Sequence, residues 1–104
     1  MKQQVFDCSV RAKAETDRAL NETYQALIQR IRTHYSGDRA LADQYLLHLR
    51  ASQRAWVALR DTNYALEAFE IENGSQAHET TVDGCVIHMS HNRTRYLEQL
   101  SPAW

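Results

Sequence analysis

The sequence predicts an all-α fold, namely an antiparallel up-down-up three-helix bundle with a long central helix. Apolar residues recur every three or four positions in three long segments, which is the spacing of one helix face. No segment of useful length alternates apolar and polar residues as a strand does. The 104 residues contain only three Gly and one Pro, so little interrupts the helices. This length suits one domain, which we expect to span residues 1–104.

The first helix is predicted over residues 9–35. Its apolar stripe passes through Leu20, Tyr24, Leu27, Ile31 and Tyr35. Asp7 or Ser9 can cap its start by accepting hydrogen bonds from free backbone N–H groups. Gly37 is suited to end the helix, because glycine adopts a left-handed backbone conformation without strain. Residues 1–7 are expected to form a flexible N-terminus.

The second helix is predicted over residues 39–72 and is the longest. Its apolar seam passes through Tyr45, Leu49, Ser52, Trp56, Leu59, Asn63 and Leu66. No Gly or Pro interrupts this segment, and Asn73 and Gly74 end it. The polar residues 73–81 are predicted to form a loop.

The third helix is predicted over residues 82–100, and Pro102 ends it because proline cannot continue the backbone hydrogen bonds. Apolar residues recur along this segment at helical spacing, as they do in the first two helices. Together the three stripes predict the core. The residues expected to be largely buried are Leu20, Tyr24, Leu27, Ile31, Leu49, Trp56, Leu59, Val86, Met89 and Tyr96.

Composition and motifs exclude several classes of function. The net charge of −1 gives no electrostatic reason to bind nucleic acid or an anionic membrane. No apolar run approaches the roughly 18 residues of a membrane span. Motifs of hydrolases, zinc proteases and phosphate-binding loops are absent, so we predict no enzyme activity and no cofactor. Cys85, His88 and His91 spread over about 120° of one helix surface, which disfavours a metal site.

The two cysteines, Cys8 and Cys85, lie far apart in the sequence and do not form a zinc motif. Two interpretations remain open, namely two free buried thiols or one disulfide formed in an oxidising compartment. In an up-down-up bundle the first and third helices begin at the same end, and this geometry favours the disulfide. No apolar stretch follows Met1. The sequence therefore fits either a cytosolic protein or an exported one whose signal peptide has been removed.

Charged residues in the second helix allow two interpretations each. Three acids lie near its predicted end, at Glu67, Glu70 and Glu72. A helix dipole favours cations at that end, so the three acids do not stabilise the helix. They form either a solvated face or a patch that meets a basic partner. Arg54 and Arg60 are either solvent-exposed charges beside Trp56 or partners of acids on neighbouring helices that fix the register.

The second helix also contains the segment Gln53-Arg54-Ala55-Trp56, followed by Arg60-Asp61. These motifs resemble the centre of the lysozyme-inhibitor LprI-like domain, a family of small exported bacterial proteins. Residues 20–27 resemble the first-helix element of that family, and residues 84–97 resemble its closing element. The ordered set covers nearly the whole chain. The motif residues are Gln53, Arg54, Trp56, Arg60, Asp61, Arg93 and Thr94.

The resemblance implies a periplasmic or secreted protein that inhibits a lysozyme by protein–protein contact. Family members often carry four cysteines, and Cys8 and Cys85 match two of them. The joint absence of the other two implies that the remaining pair is bonded. The surface expected to meet the partner is formed by Glu67, Glu70, Glu72, His78 and Glu79. The alternative is an envelope interaction protein, or an immunity-type protein, that does not inhibit lysozyme.

Overall fold

The computed structural model describes residues 2–100, with side chains from residue 10 onward. Its helices are α1 (Lys2–His34), α2 (Arg39–Glu67) and α3 (Gln76–Gln99). No strand occurs among the described residues, and the predicted all-α, three-helix fold is confirmed. The helix α1 begins before the predicted residue 9, since none of residues 2–8 is Gly or Pro. The flexibility of residues 1–7 stays a prediction.

Contacts between helices define the arrangement of the bundle. Glu67, at the end of α2, contacts Cys85 in the first half of α3. Gln53, in the middle of α2, contacts Arg93 in the second half of α3. These two helices are therefore antiparallel. The bundle measures 55 × 23 × 17 Å, and α1 packs mainly on α3. Within residues 2–100, no helix combines the length and the apolar character that crossing a membrane requires.

The apolar core lies where α1 connects to α2. Its buried residues come from the second half of α1, the first half of α2 and the end of α3, so α1 and α3 run parallel. They are Leu20, Leu27, Ile28, Ile31, Ala42, Leu46, Leu49 and Leu97. We call this region the apolar end of the bundle, and the opposite region, where α2 connects to α3, the polar end.

The predicted core is confirmed in part. Five of its members are buried, namely Leu20, Leu27, Ile31, Leu49 and Val86. Three are half-buried, namely Tyr24, Trp56 and Met89. The prediction was wrong for Leu59 and Tyr96, which are 53% and 50% exposed. For Leu59 the reason is that α2 has little contact with α1, so α2 buries a narrower stripe than a helix packed between two neighbours.

The helix α2 ends at Glu67, earlier than the predicted residue 72. The backbone N–H of Ala68 bonds to the carbonyl oxygens of Tyr64 and Leu66, which closes the last turn. Ala68 is buried, and residues 68–70 form a turn. Gly74 then takes a left-handed backbone conformation, with φ of +86°, as the chain turns towards α3.

The helix α3 begins at Gln76, so most of the predicted loop 73–81 is helical. Ser75 caps the helix, because its Oγ accepts a 3.0 Å hydrogen bond from the backbone N–H of His78. Glu79 lies in the first turn, where the helix dipole favours an acid. The polar residues that suggested a loop therefore form the exposed, capped first turn of α3.

Candidate protein-binding site

Arg93 joins α3 to α2 in the middle of the bundle. Its guanidinium Nε donates a 2.9 Å hydrogen bond to Oε1 of Gln53, and Nη2 donates one of 2.9 Å to Oγ of Ser52. Arg93 is only 9% exposed, and burial lowers the pKa of its guanidinium below its usual value. Because both bonds depend on the register of the two helices, Arg93 fixes how α2 and α3 pack.

Aromatic rings surround the same arginine. Its Cζ lies 5.9 Å from the ring centroid of Trp56 and 5.1 Å from that of Tyr96. Arg60 also contacts Trp56, with its Cζ 5.2 Å from the ring centroid. A cation over an aromatic face is stabilised by about 0.5–2 kcal/mol. The structure therefore brings together Trp56 and Arg93, which the sequence placed in separate motifs.

The remaining motif residues do not join one helix to another in the way that Arg93 does. Thr94 is buried, and its Oγ1 donates to the carbonyl oxygen of Ser90 within α3. Arg54 is exposed. Arg60 pairs with the adjacent Asp61 at 3.2 Å, on its own helix rather than on a neighbouring one. Sequence reasoning missed Ser52 as a partner of Arg93, because a serine on an apolar seam gave no signal of its contact.

Cys85 is buried, and its Sγ donates a 2.9 Å hydrogen bond to Oε2 of Glu67. Burial, this bond and the charge of Glu67 raise the pKa of the thiol from 9.0 to about 11, against a smaller lowering by Arg60. The thiol is therefore protonated at neutral pH, which suits neither a nucleophile nor a metal ligand. The predicted Cys8–Cys85 disulfide is not found: Cys85 is a free thiol directed at α2, and the side chain of Cys8 lies outside the described residues.

The exposed surface of the polar end combines acids with large apolar side chains. Leu66 is 73% exposed and Phe69 is 84% exposed. The acids beside them, Glu67, Glu70 and Glu72, are also exposed. We call these five residues the acidic tip. The sequence contains no Lys or Arg between Asp61 and Asn92, so the local charge is negative although the net charge is only −1.

The other two predicted partner-binding residues lie beside a polar groove. Glu79 is exposed in the first turn of α3, and His78 is half-buried. Both line a groove of about 510 Å³ that is also lined by Arg60 and Asp61 of α2 and by Asp17 of α1. All five predicted residues thus lie at one end of the bundle. Three belong to the acidic tip and two line this groove. Whether they contact a partner stays a prediction.

Comparison with known proteins identifies the family. The family model described as lysozyme inhibitor LprI matches residues 1–97. The chain belongs to the LprI family. A crystal structure of a DUF1311 family protein from Pseudomonas putida KT2440 is similar over 96% of this chain and 93% of that one, with 28% identity and a TM-score of 0.86. The fold of the chain therefore agrees with an experimental structure.

The chain is also similar to a curated protein. An uncharacterised protein of Rhizobium meliloti (strain 1021) is 29% identical over 99 residues, which are 89% of this chain and 68% of the relative. The name of that relative assigns no activity. Among these comparisons, only the name of the LprI family refers to lysozyme inhibition.

Proposed function

We propose that this protein is exported to the cell envelope, where it binds and inhibits a lysozyme through the acidic tip. The observation that carries the proposal is the exposure of Leu66 and Phe69 at 73% and 84% among three carboxylates. Large apolar side chains that are exposed together, with a charged rim, are typical of protein-interaction sites. The family description supplies the class of partner.

Charge complementarity supports a lysozyme as the partner. Lysozymes of the c-type are basic proteins, and a locally acidic surface accelerates encounter with a basic one. Steering requires only a local field here, and the absence of Lys and Arg between Asp61 and Asn92 provides one. The predicted effect of added salt is slower association, because salt screens exposed charges beyond about 8–10 Å.

The backbone under the tip is held by its own hydrogen bonds, which favours binding. Ala68 is buried, and its N–H closes the end of α2. Ile71 donates a 3.0 Å backbone hydrogen bond to Ala68, and Ser75 caps α3. A surface held in this way loses less conformational entropy on binding than a disordered loop does.

The experiment is a turbidity assay in which a c-type lysozyme lyses bacterial cells in the presence of the purified protein. We expect inhibition that rises with the protein-to-enzyme ratio. Leu66→Ala is expected to weaken inhibition about tenfold or more, as loss of an interface anchor does. Leu47→Ala is the matched control, because Leu47 is a leucine of the same helix, 63% exposed, at the apolar end. No inhibition, or equal losses in both variants, would contradict the proposal.

A second pair of variants tests the charges. Glu70→Gln at the tip is expected to slow association at low salt, whereas Glu98→Gln is the control, because Glu98 is exposed near the far end of α3. Surface plasmon resonance at two salt concentrations gives the association rates. Tight binding to lysozyme without inhibition would favour the alternative function, an envelope interaction protein that uses the same tip.

A further inference from the structure

The side of α2 that faces away from the core carries no charge over most of its length. The buried residues Ala42, Leu46 and Leu49 mark the side of α2 that packs into the bundle. At about 100° per residue, six residues lie on the opposite side, and all six are exposed. They are Leu47, Ala51, Ala55, Ala58, Thr62 and Leu66, and we call them the outer face. Its two leucines are 63% and 73% exposed.

The helix α1 shows how an ordinary solvated helix differs from this one. Opposite its buried residues Leu20 and Leu27, α1 exposes the charged residues Arg11, Glu15 and Arg18. A helix at the surface of a bundle normally has charged and polar residues on the side away from the core, whereas a helix that is apolar on both sides is covered on both. The composition of the outer face therefore indicates that a further element packs on α2.

We propose that the outer face packs on the outer face of a second copy of this chain, with the two α2 helices antiparallel. A twofold axis can place Ala55 of one copy opposite Ala58 of the other. Leu47 of each copy then lies opposite Leu66 of the other. The small side chains at the centre allow the helix axes to approach to about 8 Å, and leucines cover both ends of the contact. No charge is buried between the helices.

The charges beside the outer face favour this arrangement of a second copy. Arg50, Arg54 and Asp61 lie along one flank of α2, within about 40° of one another. In an antiparallel twofold pair, each flank meets the same flank of the other copy. With Ala55 opposite Ala58, Asp61 of one copy therefore lies level with the segment between Arg50 and Arg54 of the other. A parallel pair would place this flank against the opposite flank of α2, which is uncharged beside the outer face.

These charged groups are available for such pairs. Arg50 and Arg54 are exposed and, over the residues that the structure describes, have no ion-pair partner. The side chain of Asp61 is 47% exposed, so its carboxylate can accept from a second cation besides Arg60. Two symmetric sets of opposite charges therefore border the proposed contact, and each guanidinium can bond a carboxylate.

The size of the contact determines its strength. In this register the two copies of α2 overlap over residues 46–67, which is about 33 Å of helix. A strip of that length and of the width of a helix covers on the order of several hundred Å² on each copy, at the lower limit of specific interfaces. We therefore expect a reversible dimer with a dissociation constant of about 10–100 μM.

The dimer and the acidic tip share one residue. Leu66 belongs to both, so a dimer covers part of the tip. At the dilute protein concentrations of a turbidity assay, the protein is expected to be monomeric and its tip accessible. The dimer does not rest on the proposed function, because self-association is measured without a lysozyme.

The experiment is sedimentation velocity over protein concentrations from about 5 μM to about 1 mM, which bracket the expected dissociation constant. We expect the average sedimentation coefficient to rise from the value of a monomer to that of a dimer. Ala55→Glu places a charge at the centre of the contact and is expected to weaken dimerisation about tenfold or more. Ala26→Glu is the matched control, because Ala26 is exposed on α1. Circular dichroism of both variants verifies that the helices are retained.

Charge reversal tests the antiparallel arrangement. Asp61→Arg brings like charges together and is expected to weaken the dimer several-fold at low salt. The triple variant Arg50→Glu, Arg54→Glu, Asp61→Arg reverses the whole flank and is expected to restore the dimer, because opposite charges meet again.

The outcomes separate this inference from the proposed function. A parent protein that stays monomeric at about 1 mM, or an Ala55→Glu variant that associates as Ala26→Glu does, would overturn the dimer. Equal association of the parent and Asp61→Arg would overturn the antiparallel arrangement. A protein that remains monomeric but inhibits lysozyme removes the dimer and retains the proposed function. A dimer that does not inhibit lysozyme does the reverse.

Discussion

The two ends of the bundle are built from different interactions. At the apolar end, Leu27, Ile31 and Leu97 are fully buried and pack with five other apolar residues. At the polar end, the buried Cys85 and Asp83 instead pair with the exposed Glu67 and the half-buried Lys13. Apolar burial stabilises by about 25 cal/mol per Å², whereas paired polar groups contribute little net free energy. The apolar end therefore supplies most of the stability, and the polar end can present exposed apolar side chains to a partner.

Arg93 marks the boundary between the two ends. It lies one turn before Leu97 of the core and satisfies its charge with side chains of α2. Because a buried arginine without partners is strongly destabilising, its contacts also hold α2 in place where α1 gives α2 little support. The family motif residues Gln53, Trp56 and Arg93 thus form a joint between α2 and α3.

Substitution of a leucine at each end gives the largest expected difference. Leu27→Ala removes a fully buried side chain from the core and is expected to lower the free energy of unfolding by about 3–4 kcal/mol. Leu66→Ala, at an exposed position, is expected to change it by less than about 0.5 kcal/mol. Urea denaturation followed by circular dichroism measures both. Similar losses at the two positions would mean that the polar end is packed as tightly as the apolar end.

Substitution of Arg93 tests the boundary. Arg93→Ala leaves Gln53 and Ser52 without their partner and is expected to cost about 2–4 kcal/mol in unfolding free energy. Arg93→Lys is expected to cost less, because it keeps the charge. Some cost remains, because lysine cannot reproduce the two N–H directions. The control is Arg95→Ala, because Arg95 is exposed on the same helix. An Arg93→Ala variant as stable as Arg95→Ala would show that the joint contributes nothing.

The thiol at the polar end predicts a dependence of stability on alkaline pH. The pKa of Cys85 is about 11 in the folded protein and 9.0 in the absence of the fold, so the folded state holds the proton more tightly. Its stabilising effect is complete below about pH 9 and is lost as pH rises towards 11, with a slope of at most about 1.4 kcal/mol per pH unit. Urea denaturation of Cys8→Ser, which leaves Cys85 as the only thiol, measures this slope.

The control for that measurement is the double variant Cys8→Ser, Cys85→Ala. Lysines and tyrosines also titrate at alkaline pH, so the difference between the two variants isolates Cys85. We expect the double variant to lose less stability between pH 9 and 11. Parallel pH profiles for the two variants would contradict the raised pKa of Cys85.

The smallest expected effect concerns Ser90, which is fully buried between the two ends. Its Oγ has no hydrogen-bond partner among the described residues. Ser90→Ala removes an unsatisfied hydroxyl and is expected to raise the free energy of unfolding by about 0–1 kcal/mol. A thermal melt compares the variant with the parent protein. A lower melting temperature would indicate that the hydroxyl has a partner, such as an ordered water.

The sequence by itself determined the three helices, the stripe that contains Leu27 and Ile31, and the family. These features are local, because helical spacing and short motifs can be recognised along the chain without knowing which helix packs on which. The acids at Glu67, Glu70 and Glu72 were likewise recognisable as a possible contact surface. The capped first turn of α3 was missed, because the polarity of residues 76–81 masked the signal of Ser75.

Only the tertiary structure decided which faces are covered. An apolar stripe does not say how many neighbours a helix has, and α2 leaves Leu59 half exposed because it packs on α3 and barely on α1. The same is true of the partner of Arg93, the bond between Cys85 and Glu67, and the groove that Asp17 and His78 share. Each joins residues far apart in the sequence, whose meeting depends on the packing and register of whole helices.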